Sequence, residues 1–239
     1  MGGKLFLVGV GPGSSKYVTD IAKITLRKSH YVIGYSYTLD TIKHLLNFDS
    51  QNVIEVNIDN QDIVYKDVYN NMKGDQFCSI PFTGDVNFSE SEVVDRLLEI
   101  FGDTNVELVP GISSIQVAAA RAKIPIDKSV IITFHVTGEI EVKKLELLSA
   151  VKSQNSVIIL PRPWPKMRIK EFMQSDIASY LKANNIDTNK LKVWIFEFLT
   201  KKSERIFKGN VSDLEGRHFD SLSVMIIDQV KRKTYLEFN

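Results

Sequence analysis

The sequence predicts an α/β fold with two domains, and three observations support this prediction. From Leu5 onward, short β-branched or aromatic runs alternate with longer amphipathic segments, the pattern of βαβ units. Of the 239 residues, 44% are hydrophobic and 25% are charged, which is typical of a globular protein. This length corresponds to one large domain or two small ones, each able to bury a core.

The first half is predicted to form a mainly parallel sheet with helices between its strands. The candidate strands are residues 5–10, 31–34, 53–56, 77–82 and 106–109. Apolar residues at helical spacing predict helices at residues 17–28, 39–46, 63–72 and 92–101. We therefore assign residues 1–122 to an N-terminal α/β domain.

The second half, residues 123–239, is predicted to be a mixed α/β domain. Its later strands follow one another closely, which favours antiparallel neighbours. The candidate strands are residues 130–133, 157–160, 193–198, 205–207 and 223–227, and the candidate helices are residues 142–151 and 169–184. The charged residues Glu141, Lys143, Lys144 and Glu146 should form a solvated helix face, and Val142 should face inward. No Gly/Ser linker separates the halves, so we expect an active-site cleft between them.

Composition argues against several classes of function. The net charge is +1, from 30 basic and 29 acidic residues, so no charge excess indicates a nucleic-acid partner. No apolar run approaches 18 residues and none near the N-terminus suits a signal peptide, so we expect a cytoplasmic protein without a membrane partner. Cys78 is the only cysteine and lies in an apolar run. It should be a buried, inert thiol, and we predict no metal site.

The first candidate ligand loop is Gly9-Val10-Gly11-Pro12-Gly13, which follows the first strand. Its glycines allow a tight turn and a close approach of the backbone to a ligand. A dinucleotide fingerprint would have glycine where Ser14 stands, and Pro12 has no N–H to donate to a phosphate. The residues alone are consistent with either a ligand loop or a plain strand-to-helix turn.

Two more glycine loops follow later strands of the same half. In Thr83-Gly84-Asp85, the carboxylate can accept hydrogen bonds from its own turn or from a cationic or hydroxylated ligand. In Pro110-Gly111-Ile112-Ser113-Ser114, a serine can cap the helix that follows, or the helix N-terminus can hold a polar ligand. We expect all three loops to converge on one edge of one sheet.

These three loops together resemble those of the tetrapyrrole (class III) methyltransferases, which use S-adenosylmethionine. The family's marks are Gly-x-Gly-Pro-Gly, Ser/Thr-Gly-Asp and Pro-Gly-hydrophobic-Ser-Ser. In the second half, Glu197-Phe198-Leu199-Thr200 followed by Glu204-Arg205 is similar to the family's Glu-Asn-Leu and Glu-Arg segments. Phe219-Asp220-Ser221-Leu222-Ser223-Val224 is similar to its last core strand, and the match spans residues 5–227.

Within the family, residues 110–125 look most like the cobalt-precorrin-7 or precorrin-6Y C5-methyltransferase branch. The resemblance implies methyl transfer to C5 of a corrin-pathway tetrapyrrole in cobalamin biosynthesis, with S-adenosylhomocysteine as product. Two segments depart from the family pattern: Gly-Asp-Pro-Gly-Phe is Gly84-Asp85-Val86-Asn87-Phe88, and Leu-His-Gly is Phe134-His135-Val136. The first departure alters the stiffness of the loop, and the second puts a role for His135 in doubt.

The resemblance also implies which residues bind each ligand. The S-adenosylmethionine site would comprise Pro12, Gly84, Asp85, Phe88, Ser113 and Ser114 from the first domain and Leu160 and Phe198 from the second. Gly11, Arg162 and Arg168 would contact the tetrapyrrole. Residues 161–168 offer three cations and an indole to its carboxylates, although a solvated surface loop is equally consistent with this segment. The family further implies a homodimer and a separate C15-methyltransferase and decarboxylase subunit.

No catalytic residue is assigned from the sequence. Methyl transfer from a sulfonium is an in-line displacement, and an electron-rich meso carbon is already nucleophilic. The four histidines form no nucleophile–base set, and His135 should be a hydrogen-bonded core histidine. Two alternatives stay open: a methyltransferase of the same fold with another acceptor, as in diphthine synthase, and a nucleotide-binding module without methyl transfer.

Overall fold

A computed structural model of the chain describes residues 3–164 and 168–230, without the side chain of Arg168. The chain divides between Ser114 and Ile115 into two units. Each unit holds one five-stranded sheet with helices packed on it. The predicted fold class of two α/β domains is confirmed. The domain boundary after residue 122 and the cleft stay predictions.

The first sheet is parallel throughout and has the strand order β3-β2-β4-β1-β5. All five strands lie within one residue of their predicted bounds. Strand β1, in the interior of the sheet, is buried on both faces, because Leu5 and Leu7 enter one hydrophobic cluster and Val8 enters another. The strands are β1 Lys4–Gly9, β2 Tyr31–Gly34, β3 Asn52–Glu55, β4 Phe77–Phe82 and β5 Val106–Val109.

Four helices connect these strands: α1 Asp20–Lys28, α2 Ser36–Ile42, α3 Gln61–Asn71 and α4 Ser91–Phe101. The prediction that the first helix starts at residue 17 is wrong by three residues. A short 3-10 turn covers Ser15–Tyr17, and the hydroxyl of Thr19 then accepts a hydrogen bond from the Ala22 amide at 3.3 Å. This cap satisfies an unpaired amide of the first turn, so α1 begins after Thr19.

The second sheet is mixed, as predicted, with the order β6-β7-β10-β8-β9. Strands β6 and β7 are parallel, whereas β10 runs antiparallel to both β7 and β8, and β8 pairs antiparallel with β9. The carboxyl ends of β6, β7 and β8 therefore lie at the same edge. The strands are β6 Ser129–Thr133, β7 Ser156–Leu160, β8 Lys192–Glu197, β9 Arg205–Asn210 and β10 Ser223–Asp228.

The helices of this unit are α5 Ser114–Ala122, α6 Glu141–Lys152 and α7 Gln174–Ala183. The predicted start of the last helix at residue 169 is wrong. Arg162 and Phe172 form an isolated antiparallel bridge, each amide donating to the other's carbonyl at 2.9 Å. This pairing keeps residue 172 extended, so α7 begins only at Gln174.

Helix α6 presents its charged residues to solvent, as predicted for Glu141 and Glu146, but the inward orientation predicted for Val142 is wrong. Val142 is 79% exposed, whereas Val151 is buried. Nine residues separate them, about two and a half turns at 3.6 residues per turn, so they lie on opposite sides of the helix. The buried residues of α6 all lie in its C-terminal half.

The prediction for the single cysteine is confirmed. Cys78 is fully buried in β4, and this burial raises the pKa of its thiol, so the nucleophilic thiolate is disfavoured. Every helix within residues 3–164 and 168–230 is too short or too polar to span a membrane.

Candidate active site

The loops that follow β1 and β4 are hydrogen-bonded to each other. The Gly11 amide donates to the Gly84 carbonyl at 3.1 Å, and the Gly84 amide donates to the Gly11 carbonyl at 2.8 Å. Their φ values are +79° and +83°, a region that L side chains rarely adopt, so glycine is required at both positions. The two loops meet at the carboxyl edge of the first sheet.

The loop after β5 packs against the same point. A Cβ atom on Gly111 would lie 2.4 Å from the Gly84 carbonyl oxygen and 2.6 Å from the Gly9 carbonyl carbon. These distances are shorter than any ordinary contact, so only glycine lets the three backbones approach. Because β4, β1 and β5 are adjacent in the sheet, their loops converge, and this sequence prediction is confirmed.

Asp85 serves as an acceptor within its own turn. Its Oδ1 accepts hydrogen bonds from the amide and the side-chain nitrogen of Asn87, both at 3.1 Å. The Phe88 amide donates to the Asp85 carbonyl at 3.1 Å. This turn fixes the half-buried carboxylate beside Gly84, and its predicted ligand role stays a prediction.

The other first-domain candidates lie in the same three loops. Pro12 is buried immediately after Gly11, and Ser113 is buried immediately before α5. The amide nitrogen of Ser114, the first residue of α5, lies 3.6 Å from where a Cβ of Gly84 would stand. The structure thus brings the glycine turns and the N-terminus of α5 together, with amide donors that suit a polar ligand.

The two candidates from the second domain lie at one edge of the second sheet. Leu160 is buried as the last residue of β7, and Phe198 follows β8 directly. Phe198 has a φ of +50°, a rare conformation outside glycine, and the guanidinium of Arg205 lies 5.4 Å from its ring centroid. Both residues therefore lie at the carboxyl ends of strands that run in the same direction.

The Glu-Arg motif of the second half explains how this strained turn is held. The buried carboxylate of Glu197 accepts two hydrogen bonds from Arg205, at 2.8 and 3.0 Å, and a third from the Asp220 amide at 2.7 Å. Glu204 accepts from the Thr200 amide at 2.5 Å. These bonds tie the turn after β8 to neighbouring segments, which gives the motif a structural role.

Arg162, a predicted substrate contact, is 4% exposed, so it does not belong to a solvated loop. Its Nη2 donates to the Thr137 carbonyl at 3.2 Å, and its guanidinium lies 4.7 Å from the centroid of the Trp164 ring. Its Nε is buried and has no hydrogen-bond partner in the described part of the chain. The side chain of Arg168 lies outside the described residues.

His135 and Arg162 follow the ends of two paired parallel strands. Thr133 pairs with Leu160 at the end of the parallel strands, so residues 135 and 162 are each two positions beyond this pair. Burial lowers the pKa of His135, and a hydrogen bond to the Pro161 backbone opposes this shift. Its Nε2 is buried without a partner among the residues described, so the prediction of a fully hydrogen-bonded core histidine is wrong.

A cavity of about 250 Å³ lies at the carboxyl ends of β2 and β4, and no sequence signal pointed to it. Its walls include Tyr35, Thr38, Thr83 and Glu90. Burial raises the pKa of Glu90 from its ordinary value of 4.5 to about 7. Glu90 stands in the polar run Ser-Glu-Ser-Glu, which reads as a solvated helix start, so only the folded structure reveals this site.

Comparison with known proteins identifies the family. The sequence profile of the Tetrapyrrole (Corrin/Porphyrin) Methylases matches residues 4–215. The chain belongs to this family. It is therefore an S-adenosylmethionine-dependent C-methyltransferase, and the glycine loops of this tetrapyrrole methylase are the segments that the sequence resemblance rested on.

Individual relatives agree with this membership. The methylase is 30% identical over 225 residues to a probable cobalt-precorrin-7 C(5)-methyltransferase of Methanocaldococcus jannaschii, covering 94% of this chain and 97% of that protein. The solved structure of the methyltransferase CobJ matches with a TM-score of 0.77 and 15% identity, over 97% of each chain. Uroporphyrin-III C-methyl transferase from Thermus thermophilus, solved with S-adenosylhomocysteine, matches with a TM-score of 0.68 and 16% identity, over 94% and 92% of the chains.

Proposed function

We propose that this methylase transfers a methyl group from S-adenosylmethionine to C5 of a corrin-pathway tetrapyrrole, cobalt-precorrin-7, in cobalamin biosynthesis. The observation that carries the proposal is the convergence of three glycine loops at one sheet edge. The similarity to the probable C(5)-methyltransferase extends over nearly the whole of both chains and supports this choice of acceptor.

The donor site would be built on the three loops. Pro12, Gly84, Asp85, Phe88, Ser113 and Ser114 would contact S-adenosylmethionine, and Leu160 and Phe198 would complete the contacts. The N-terminus of α5 offers amide groups and the positive end of the helix dipole, which suit the carboxylate of the donor's methionine part. The S-adenosylhomocysteine complex of the Thermus thermophilus neighbour is consistent with a donor of this class.

The acceptor site would use Arg162, with Gly11 and Arg168. No carboxylate among the described residues forms an ion pair with the buried guanidinium of Arg162. This guanidinium contacts a backbone carbonyl and an indole ring. A buried cation is costly unless an anion compensates it, so a tetrapyrrole carboxylate is a fitting partner. Stacking on Trp164 restricts the guanidinium and favours a bidentate contact.

The main contribution of the protein to this reaction is to position the methyl donor and the acceptor carbon. When bound, S-adenosylmethionine supplies an electrophilic methyl group on a positively charged sulfur. The glycine loops are hydrogen-bonded to each other through their backbones, and these bonds restrict the movement of the backbone around this group. Holding the methyl group in line with the acceptor carbon, away from water, supplies most of the rate enhancement that such a transfer needs.

Calorimetric titration with S-adenosylhomocysteine, S-adenosylmethionine and NAD tests the donor site. We expect binding of both sulfur compounds and none of NAD. Asp85→Ala removes the acceptor of the turn, so affinity for S-adenosylhomocysteine should fall at least about tenfold, a cost of ~1.4 kcal/mol. The matched control is Asp49→Ala, which removes an exposed carboxylate from a different turn and should leave affinity unchanged.

Ligand binding and methyl transfer together distinguish the proposed function from its alternatives. Binding of NAD alone would reject the donor assignment, and Asp85→Ala binding as tightly as the wild type would reject a role for this loop. Binding of S-adenosylhomocysteine without any methyl transfer would favour the nucleotide-binding module. Methylation of a protein side chain would favour an acceptor like that of diphthine synthase. The homodimer, the cytoplasmic location and the separate C15-methyltransferase and decarboxylase subunit stay predictions.

A further inference from the structure

Glu90 directly precedes α4 and lines the cavity at the ends of β2 and β4. It occupies the N-cap position of this helix, yet its side chain makes no capping hydrogen bond. The hydroxyls of Thr38 and Thr83, which line the same cavity, are hydrogen-bonded to each other at 3.1 Å. The Glu90 side chain thus lines the cavity without capping its own helix.

The groups around Glu90 leave its charge uncompensated. Tyr35 and Tyr37 face it from the start of α2, with stacked rings 5.6 Å apart, and Tyr65 faces the cavity from α3. Burial raises the pKa of Tyr37 to about 12, and the charge of Glu90 adds to this shift, so the phenol stays neutral. In the described chain these elements bring no cation into an ion pair with Glu90.

The charged pair on the neighbouring helices is already formed. Arg96 of α4 donates to both carboxylate oxygens of Asp62 of α3, at 2.9 and 3.0 Å. The charge of this guanidinium is balanced by Asp62, and burial is the cause of the raised pKa of Glu90. With a pKa of about 7, the Glu90 carboxyl group exchanges its proton near neutral pH.

The cavity is adjacent to the candidate donor loop. Thr83 lines the cavity and is followed directly by Gly84, whose amide and carbonyl are bonded to Gly11. In the order β3-β2-β4-β1-β5, the end of β4 is shared: the cavity uses its β2 side and the glycine loops use its β1 side. The cavity and the glycine loops therefore lie on the two sides of one strand end.

Methylation of a meso carbon releases a proton, and this proton needs an acceptor. An electron pair of the ring forms the new C–C bond as the S–CH₃ bond breaks, and sulfur keeps the pair of the broken bond. The carbon then carries both hydrogen and methyl, and the ring holds the positive charge. Loss of the C–H proton returns that electron pair to the ring. A weak base suffices, because a C–H bond next to a cationic ring is acidic.

We propose that the carboxylate of Glu90, facing the cavity beside Thr83, accepts the proton that leaves the methylated carbon. This inference rests on the proposed function, and it makes Glu90 a catalytic residue of the transfer. A base must be deprotonated to act, so the rate of methylation should rise with pH through about 7 and then level off.

Single-turnover methylation of cobalt-precorrin-7, measured from pH 5.5 to 8.5, tests this inference. Glu90→Gln keeps the shape of the side chain, so S-adenosylhomocysteine should bind within about twofold of wild type. The rate should fall about 100-fold or more and lose its rise near pH 7. Glu99→Gln changes an exposed glutamate of the same helix and should follow the wild-type profile.

The outcomes separate the two proposals. If the wild type methylates the tetrapyrrole and Glu90→Gln retains both the rate within threefold and the rise near pH 7, Glu90 is not the proton acceptor. If the wild type transfers no methyl group to any tetrapyrrole, the proposed function itself fails. A ¹³C NMR titration of the Glu90 carboxyl group in the wild-type chain gives a second measurement, and a pKa below 5 would also overturn the inference.

Discussion

Three polar side chains stand out at the scale of single residues: Glu90 and His135, which are half-buried, and Arg162, which is buried. Sequence reasoning selected Arg162 from its cluster of cations, misjudged His135 and missed Glu90. The reason is physical, because a charged residue in a sequence carries no sign of whether water surrounds it. Burial, and the pKa shifts that follow from it, depend on segments far apart in the chain.

The pKa of Glu90 makes a prediction about stability. Because the folded value, about 7, exceeds the ordinary value of 4.5, the folded state holds the proton more tightly than the unfolded state. The stabilisation is therefore complete below about pH 4.5 and is lost as the pH rises through 7. At ~1.4 kcal/mol per pKa unit, the free energy of unfolding should lose about 3 kcal/mol across this window.

Urea unfolding of the wild type and Glu90→Gln at pH 5 and pH 8 measures this effect. The amide cannot titrate, so between pH 5 and pH 8 the free energy of unfolding of the variant should rise by about 2.5 kcal/mol relative to that of the wild type. Comparing the two chains at each pH removes contributions from other titrating groups, His135 among them. An equal difference at both pH values would show that Glu90 titrates normally.

At the scale of elements, local patterns located the strands well and the helix starts less well. A short apolar run bounded by polar residues fixes where a strand lies, whereas a helix start depends on one cap or one pairing. The Thr19 cap delays α1, and the bridge between Arg162 and Phe172 delays α7. The glycine loops were predictable because few residues other than glycine allow a tight turn directly after a strand.

The close contact of the three loops predicts the effect of one added methyl group. Gly111→Ala would place its Cβ 2.4 Å from the Gly84 carbonyl oxygen, and this neighbour is backbone that cannot move aside cheaply. We expect a loss of about 1–3 kcal/mol in the free energy of unfolding, as in overpacked sites. Because the loops must separate, affinity for S-adenosylhomocysteine should fall as well.

The control for this variant is Gly138→Ala, since an added Cβ at that position would meet nothing within 4 Å. Urea unfolding and calorimetric titration of the two variants provide the comparison. Gly138→Ala should match the wild type in both measurements. If Gly111→Ala also matches it, the three loops do not form the tightly packed cluster described above.

At the scale of the whole molecule, two sheets of different strand direction are combined in one chain. The parallel and mixed character of each followed from the spacing of the predicted strands, but the strand orders did not. Strand order depends on which nonlocal pairings bury the most apolar surface, and local periodicity carries no record of it. The convergence of loops after β1, β4 and β5 needs the observed order, in which these strands are adjacent.

Anaerobic incubation of the chain with cobalt-precorrin-7 and S-adenosylmethionine, followed by mass spectrometry and NMR of the product, tests the central claim most directly. A C5-methyltransferase should yield one added methyl group per tetrapyrrole, located at C5, with one equivalent of S-adenosylhomocysteine. A product methylated at another ring position, or S-adenosylmethionine left unconsumed while the tetrapyrrole is bound, would contradict the account.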